Sequence, residues 1–180
     1  MARVLIVFHS GEGQTAKIAE HVASMLRGGG REVDVARVED APSPDGYDGV
    51  VVGDPIHVQR HSRAMTKWLR DHMSLLRDRP TALFQVSMVS ADGDEEHTLA
   101  PHALVQKLLD DTGFDPDVVG MFAGALAYTQ YGWFTKRVMR SIAKHEGGET
   151  DTSRDYEYTD WSAVDQFARD VGSLVTASQA

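Results

Sequence analysis

Residues 4–15 read VLIVFHSGEGQT, and the prediction of the fold begins from this stretch. Its first five residues form an unbroken apolar run rich in β-branched side chains, which predicts a strand buried on both faces. A short polar loop with two glycines, residues 9–14, comes next. Apolar residues then recur at helical spacing, at Ile18, Val22 and Leu26. The stretch therefore predicts a strand, a tight glycine loop and the first turns of a helix.

The loop has the features of an anion-binding site. The first amides of a helix have no internal partner, and the helix dipole gives them partial positive charge. Gly11 and Gly13 let the backbone bring N–H groups together, and Ser10 and Thr15 place a hydroxyl on either side. No Lys or Arg lies inside the loop, so we expect amides and hydroxyls to bind a phosphate. The alternative is an ordinary turn in which Ser10 or Thr15 caps the helix.

The loop lacks strong motifs for other phosphate compounds, which limits the type of ligand it is expected to bind. It has no Walker motif, and its match to the relaxed dinucleotide pattern G-x-G-x-x-A, with Glu39 downstream, is a weak signal. The run SGEGQT resembles the phosphate loop of flavodoxins, which holds the phosphate of FMN. That resemblance implies that FMN binds, with the acid at position 12 directed to solvent. The implied binding residues are Ser10, Gly11, Glu12, Gly13, Gln14 and Thr15.

Length and composition limit the classes of protein to which the chain can belong. The chain has 180 residues, 42% hydrophobic and 25% charged, so we expect one globular domain over residues 1–180. No apolar run approaches the ~20 residues that span a bilayer, and no secretory signal is visible, so we expect a cytoplasmic protein. Because cysteine is absent, redox chemistry needs a bound cofactor. The formal net charge of −9 argues against nucleic-acid binding.

Further strand and helix patterns alternate along the chain. We predict strands at residues 32–38, 49–53, 81–89 and 118–126, and helices at 64–76, 99–109 and 161–174. Asp54 and Pro55 are expected to end the third strand, and Asp160 to cap the last helix. The alternation predicts a doubly wound α/β fold, and five strands fit the flavodoxin-like parallel order 2-1-3-4-5 with helices on both faces.

In such a sheet, ligands bind beyond the carboxyl ends of the strands, where the winding reverses. We therefore expect the loops after strands one, three and four to converge. His57 and His61 have an i,i+4 spacing that suits a metal, but no third ligand is evident, so we assign no metal site. The resemblance to flavodoxins implies that the second and third loops hold the flavin ring, through Pro55, Ile56, His57, Val58, Ser87, Met88, Val89, Ser90 and Asp92.

A long insertion, about residues 128–158, separates strand five from the last helix. A βα connection needs only about 2–6 residues, so we expect this segment to be functional. Its first half is basic and has apolar and basic stripes at helical spacing. Two interpretations stay open: a helix that contacts an anionic membrane or an acidic substrate, or a cover helix whose basic side chains are solvated. The candidate contact residues are Tyr128, Tyr131, Trp133, Arg137, Arg140 and Lys144.

Motifs in the second half of the chain indicate a more specific resemblance than that to flavodoxins in general. They are AGAL at 123–126 followed by three aromatic residues, GGETDT at 147–152 and YTDW at 158–161. With the acid in the phosphate loop, they resemble the menaquinone-dependent protoporphyrinogen dehydrogenases of bacteria. That resemblance implies an FMN enzyme that oxidises protoporphyrinogen IX and passes electrons to a quinone at the membrane, with no catalytic side chain. The second loop and the insertion depart from the pattern of that family.

Other functions stay open on the sequence alone. A flavodoxin-type electron carrier, or a quinone reductase with a different donor, would keep the fold and the FMN. A response-regulator-like signalling module would need an acidic pair after strand one, where His9 and Ser10 stand, and a phosphorylatable residue such as Asp54. Peripheral contact with the inner face of the cell membrane and a homo-oligomer also stay open.

Overall fold

The structure, a computed structural model, describes residues 1–57, 60–87, 95–126 and 156–178. Five strands form one parallel sheet: β1 (Arg3–Phe8), β2 (Glu32–Arg37), β3 (Gly49–Pro55), β4 (Thr81–Ser87) and β5 (Val118–Ala123). The described helices are α1 (Gln14–Gly28), α2 (Arg63–Leu76), α3 (Glu95–Thr112) and α4 (Trp161–Ala177). The sheet order β2-β1-β3-β4-β5 confirms the prediction.

The centre of the sheet is buried because its apolar strands are covered by helices on both faces. Every residue of β3 and β4 is buried. Successive side chains of a strand point to opposite faces. Val4 and Ile6 accordingly pack with residues of α1 and α4, whereas Leu5 and Val7 pack with residues of α2 and α3. This is the doubly wound arrangement that the sequence predicted.

Several boundaries differ from the sequence-based predictions, and three of the differences are instructive. β3 continues through Pro55, because the N–H that proline lacks would face β1, which has already ended at Phe8. α3 begins at Glu95, four residues earlier than predicted, because acidic residues suit a helix N-terminus but carry no apolar signal. β5 ends at Ala123, where the next amide donates back to β4 at 3.1 Å. Asp160 caps α4, as predicted.

The ends of the predicted insertion meet beside β5. β6 (Ala125–Leu126) and β7 (Tyr156–Glu157) pair antiparallel, with Ala125 opposite Glu157. Residues 127–155 lie outside the described residues, so the chain leaves and rejoins the described fold at one place. Within the described residues, no helix combines the length and the apolar character that a membrane span requires.

Candidate functional site

The carboxyl ends of the central strands lie side by side, as predicted. The amide of His9 donates to the carbonyl of Gly53 at 2.9 Å, and the amide of Ile56 donates to a carbonyl of β4 at 2.8 Å. The first and second loops also approach one another, since a Cβ added at Gly11 would lie 3.4 Å from Nε2 of His57. The His57 ring therefore lies against the first loop.

The first loop leaves the N-terminus of α1 open. Gly13 is the N-cap residue, with φ of +97°, and no side chain caps the first turn. Ser10 and Thr15 are 5% and 2% exposed, and Oγ of Ser10 accepts a hydrogen bond from the amide of Gly13 at 3.1 Å. The alternative in which Ser10 or Thr15 caps the helix is therefore wrong. Glu12 is exposed to solvent.

The structure adds a cation that the sequence analysis missed. Nη1 of Arg37 donates to the carbonyl of Ser10 at 3.0 Å, and its guanidinium lies 5.6 Å from the centre of the Phe8 ring. Arg37 ends β2, and the strand order 2-1-3 puts this end of β2 beside the first loop. The predicted strand order was thus the signal that could have found this residue.

His9 and Glu39 form a polar pair close to Arg37, at the same end of the sheet. Nδ1 of His9 lies 2.9 Å from Oε1 of Glu39. A backbone hydrogen bond, and then the hydrogen bond with His9, lower the pKa of Glu39, although partial burial opposes them. This carboxylate is consequently ionised at neutral pH, and it faces the His9 ring at the start of the loop.

These features fit a bound phosphate group. The loop offers first-turn amides without a side-chain cap, two buried hydroxyl residues and the Arg37 guanidinium beside its backbone. No acidic residue lies in the first turn of α1, where it would repel an anion. A helix N-terminus arranged in this way is a recurrent phosphate site.

The base of the second loop is fixed by Asp54. This side chain is completely buried and accepts hydrogen bonds from the amide of Ser62 (2.8 Å), Oγ of Ser62 (2.8 Å) and Nδ1 of His61 (2.9 Å). Oγ of Ser62 in turn accepts from the amide of Met65 at 3.1 Å and caps α2. Asp54 therefore ties the end of β3 to the start of α2, and its burial removes it as an accessible phosphate acceptor.

The two histidines of the second loop lie in different environments. His57 is exposed next to Gly11, whereas the side chain of His61 is 6% exposed and bonded to Asp54. Across the part of the chain that the structure describes, no three His, Cys, Asp or Glu side chains are placed to hold a metal ion together.

The start of α1 is joined to the chain that leads into α4. Nε2 of Gln14 donates to Oγ1 of Thr159 at 2.8 Å, and Thr159 donates to the carbonyl of Ala123 at 2.7 Å. Lys17 pairs with Glu157, and this hydrogen bond is the main cause that lowers the pKa of Glu157. The end of the insertion thus lies against the first turn of α1, a contact that local sequence patterns do not reveal.

The structure describes part of the predicted site. Pro55 ends β3 in a buried position, Ile56 is half-buried, and Ser87 is buried at the end of β4. With residues 10–15 and His57, these predicted residues lie along one edge of the sheet. Other predicted residues lie outside the described residues: Val58, Met88, Val89, Ser90, Asp92, Tyr128, Tyr131, Trp133, Arg137, Arg140 and Lys144.

Comparison with known proteins agrees with this geometry. A family model of the flavodoxin domain matches residues 5–153. The protoporphyrinogen IX dehydrogenase (quinone) of Escherichia coli strain K12 is 35% identical over 174 residues, which cover 96% of each chain. A protein of the same name from Leishmania major is 32% identical over 178 residues, 97% of this chain and 77% of that one.

Solved structures show the same fold. Oxidised flavodoxin 1 from Bacillus cereus superposes with a TM-score of 0.56 and 14% identity, over 98% of both chains. The fold and the flavodoxin domain together imply a flavin cofactor. The chain belongs to the flavodoxin-domain family and, within it, to the protoporphyrinogen IX dehydrogenase (quinone) family of flavin-dependent oxidoreductases.

Proposed function

We propose that this protein is an FMN-dependent enzyme that oxidises protoporphyrinogen IX to protoporphyrin IX and passes the electrons to a quinone. The observation that carries the proposal is its 35% identity, over 96% of both chains, to the E. coli enzyme of that name. The shared length matters because it includes the segment between β5 and α4, in which we place the contacts with donor and acceptor.

FMN is the flavin that suits the first loop. Its phosphate is a monoester, and the open N-terminus of α1 with buried hydroxyl residues on both sides suits a terminal phosphate. We assign the phosphate to residues 10–15, with Arg37 adding positive charge from the neighbouring strand. We assign the flavin ring to the second and third loops, residues 55–58 and 87–92.

The chain's own residues have to bind, orient and shield the reacting partners. When bound, FMN would supply the redox chemistry between an electron donor and a quinone. Overall, the donor would lose two electrons and two protons for each quinone that becomes a quinol. Asp54 holds the second loop to α2, which keeps His57 beside the first loop.

The insertion is the proposed contact for both partners. Tyr128, Tyr131 and Trp133 offer flat surfaces for a tetrapyrrole or a quinone, and the basic residues Arg137, Arg140 and Lys144 suit propionates or lipid phosphates. We further propose that the protein acts at the cytoplasmic surface of the membrane, where a lipid-dissolved quinone is within reach.

The test follows the visible spectrum of the FMN-loaded protein under anaerobic conditions. Protoporphyrinogen IX is expected to bleach the flavin bands, and a soluble menaquinone analogue to restore them. Bands that ignore protoporphyrinogen but respond to other donors would reject this substrate and favour the electron carrier or quinone reductase. Failure to bind FMN, with riboflavin as the phosphate-free control, would reject the assignment of the first loop.

A further inference from the structure

Thr159 joins three parts of the fold at the carboxyl edge of the sheet. Its hydroxyl donates to the carbonyl of Ala123, the last residue of β5, at 2.7 Å. The same oxygen accepts a hydrogen bond from Nε2 of Gln14, the first residue of α1, at 2.8 Å. Two residues further on, the chain enters α4 at Trp161. A half-buried threonine just before α4 therefore connects the end of β5 with the start of α1.

The direction of these hydrogen bonds follows from their chemistry. A carbonyl oxygen only accepts, so the hydroxyl proton of Thr159 is directed to Ala123 and the hydroxyl oxygen is left to accept from Gln14. Gln14 must therefore present its NH₂ group, rather than its carbonyl oxygen, to Thr159. The pKa of Glu157 is lowered mainly by its hydrogen bond with Lys17, and to a smaller extent by one with Gln14. Because the NH₂ group of Gln14 faces Thr159 and Glu157, the main-chain amide is the donor that Gln14 offers to a ligand of the first loop.

Thr159 is itself held by backbone that is hydrogen-bonded to the sheet. The amide of Tyr158 donates to the carbonyl of Gly124 at 3.1 Å, and the amide of Gly124 donates to the carbonyl of Ser87, the last residue of β4, at 3.1 Å. Gln14, in contrast, directly follows a loop with two glycines, the residue type with the widest choice of backbone conformations. Thr159 therefore transmits a restraint from the sheet to the first residue of α1.

A phosphate at the first loop requires that the first-turn amides of α1 point to one place. Helix ends fray, and the first turn of α1 has no side-chain cap that would hold it. A restraint on its first residue reduces the conformational entropy that is lost when a ligand binds. We propose that Thr159 is a positioning residue for the phosphate site and acts through the side chain of Gln14 on the first-turn amides. Resting on the proposed function, we take this phosphate to be that of FMN.

The test compares the affinities of the full-length protein for FMN and for riboflavin, which lacks the phosphate, by quenching of flavin fluorescence. T159V removes the hydroxyl with little change of shape, and T159S keeps the hydroxyl. We expect T159V to weaken FMN binding about 3- to 10-fold, as for one lost hydrogen bond, and riboflavin binding by less than about twofold. T159S should keep the wild-type affinity for both flavins. A merely structural role of Thr159 would weaken the binding of both flavins together.

Thr176 supplies a matched control at the other end of α4. Its hydroxyl oxygen also accepts from a side-chain N–H, that of Nη2 of Arg31 at 2.7 Å, and the hydroxyl donates to a main-chain carbonyl, that of Gly172 at 3.0 Å. T176V therefore loses the same two kinds of hydrogen bond without a link to the first loop. We expect T176V to keep the wild-type ratio of FMN to riboflavin affinity, and urea unfolding without flavin measures how far each variant is destabilised.

A double-mutant cycle with Q14M tests whether Thr159 acts through Gln14. Methionine has no NH₂ group, so Q14M breaks the same connection from the side of α1. T159V added to Q14M should then change the ratio of FMN to riboflavin affinity by less than about twofold. Effects of the two replacements that multiply independently would overturn the action through Gln14.

The outcomes separate a failure of the positioning role from a failure of the proposed function. A wild-type protein that binds FMN and riboflavin equally rejects the phosphate assignment of the first loop, and the positioning role with it. A wild-type preference for FMN that T159V retains overturns the role of Thr159 alone, and so does an equal loss for both flavins. A lower preference in T159V that T159S restores, with an unchanged preference in T176V, supports the positioning role.

Discussion

Arg37 changes the electrostatics of the first loop, which contains no Lys or Arg of its own. Its guanidinium donates to the carbonyl of Ser10 from the end of the neighbouring strand, 27 positions away in the sequence. The sequence predicts the loop from local spacing, but it does not show which distant cation lies beside it. The proposed phosphate site therefore has a charged group that the motif leaves out.

We expect R37Q to weaken FMN binding about fivefold, which corresponds to the loss of ~1 kcal/mol from one partly exposed charge interaction. The affinity for riboflavin, which has no phosphate, should not change. Quenching of flavin fluorescence on binding measures both affinities. Equal weakening for FMN and riboflavin would contradict a role of Arg37 toward the phosphate.

Gly13 sets the backbone of the same loop. With φ of +97°, it adopts a conformation that a residue with a Cβ rarely adopts. We expect G13A to lower the free energy of unfolding by about 1–2 kcal/mol, the cost of a left-handed conformation for an L-residue. Urea unfolding of the protein without FMN measures this change.

G28A is the matched control for G13A. Gly28 lies at the end of the same helix at a negative φ, and nothing lies within 4 Å of an added Cβ. This replacement should be neutral or stabilise by up to about 1 kcal/mol, because alanine is the better helix former. Similar losses in G13A and G28A would show that backbone conformation is not the cause.

At the scale of elements, the connection between β3 and α2 positions the second loop. Asp54 lies in the core near the carboxyl end of β3, where an unpaired carboxylate would be costly. Three hydrogen bonds from Ser62 and His61 satisfy it, and they also place the N-cap of α2. Strand, loop and helix are therefore coupled through one buried side chain.

We expect D54N to destabilise the protein by about 2–4 kcal/mol, because the amide replaces an accepting oxygen with a donor among three donors. Urea unfolding at neutral pH measures the loss, and the FMN affinity should fall with it as the second loop loosens. D71N, at an exposed position of α2, should stay within about 0.5 kcal/mol. A stable D54N protein would mean that another group satisfies the loop.

At the scale of the molecule, α1 and the chain entering α4 are joined across the predicted insertion. Lys17 and Glu157 lie 140 positions apart, yet they form an ion pair, and Nζ of Lys17 lies 5.3 Å from the Trp161 ring centre. The hydrogen bond from Gln14 to Thr159 lies one turn earlier on α1. The start of α1 is therefore joined to the end of the insertion.

This contact predicts a pH dependence of stability. The Lys17 hydrogen bond lowers the folded-state pKa of Glu157 below its ordinary value of 4.5, so ionised Glu157 stabilises the fold above about pH 4.5. The stabilisation is lost as the pH falls through the lowered pKa. K17M should therefore cost about 0.5–1 kcal/mol at pH 7 and progressively less as the pH falls below about 4.5.

A double-mutant cycle of K17M with E157Q isolates this coupling from other acid effects. Urea unfolding at a series of pH values gives the coupling energy, which is expected at pH 7 and is expected to decline as the pH falls below about 4.5. A coupling that does not decline with falling pH would be inconsistent with an ionised Glu157 as its source.

Features that depend on neighbouring residues could be predicted from the sequence, whereas features that depend on distant residues could not. The structure agrees with the predicted sheet order, with the glycine loop between β1 and α1 and with the Asp160 cap, and the loop and the cap follow from patterns a few residues long. The extension of β3 through Pro55 was missed, because the effect of a proline depends on whether a neighbouring strand needs its N–H. His57 and His61 looked equivalent in sequence, but only burial distinguishes them.

The sequence by itself determined the fold class, the position of the glycine loop between β1 and α1 and the family, because apolar periodicity, glycine spacing and motifs are properties of neighbouring residues. Only the tertiary structure decided which side chains complete the site. Arg37 at the first loop, the Asp54 network and the contact of Lys17 with Glu157 all join separate elements. Their energies depend on burial and distance, which exist only after the strands and helices have packed.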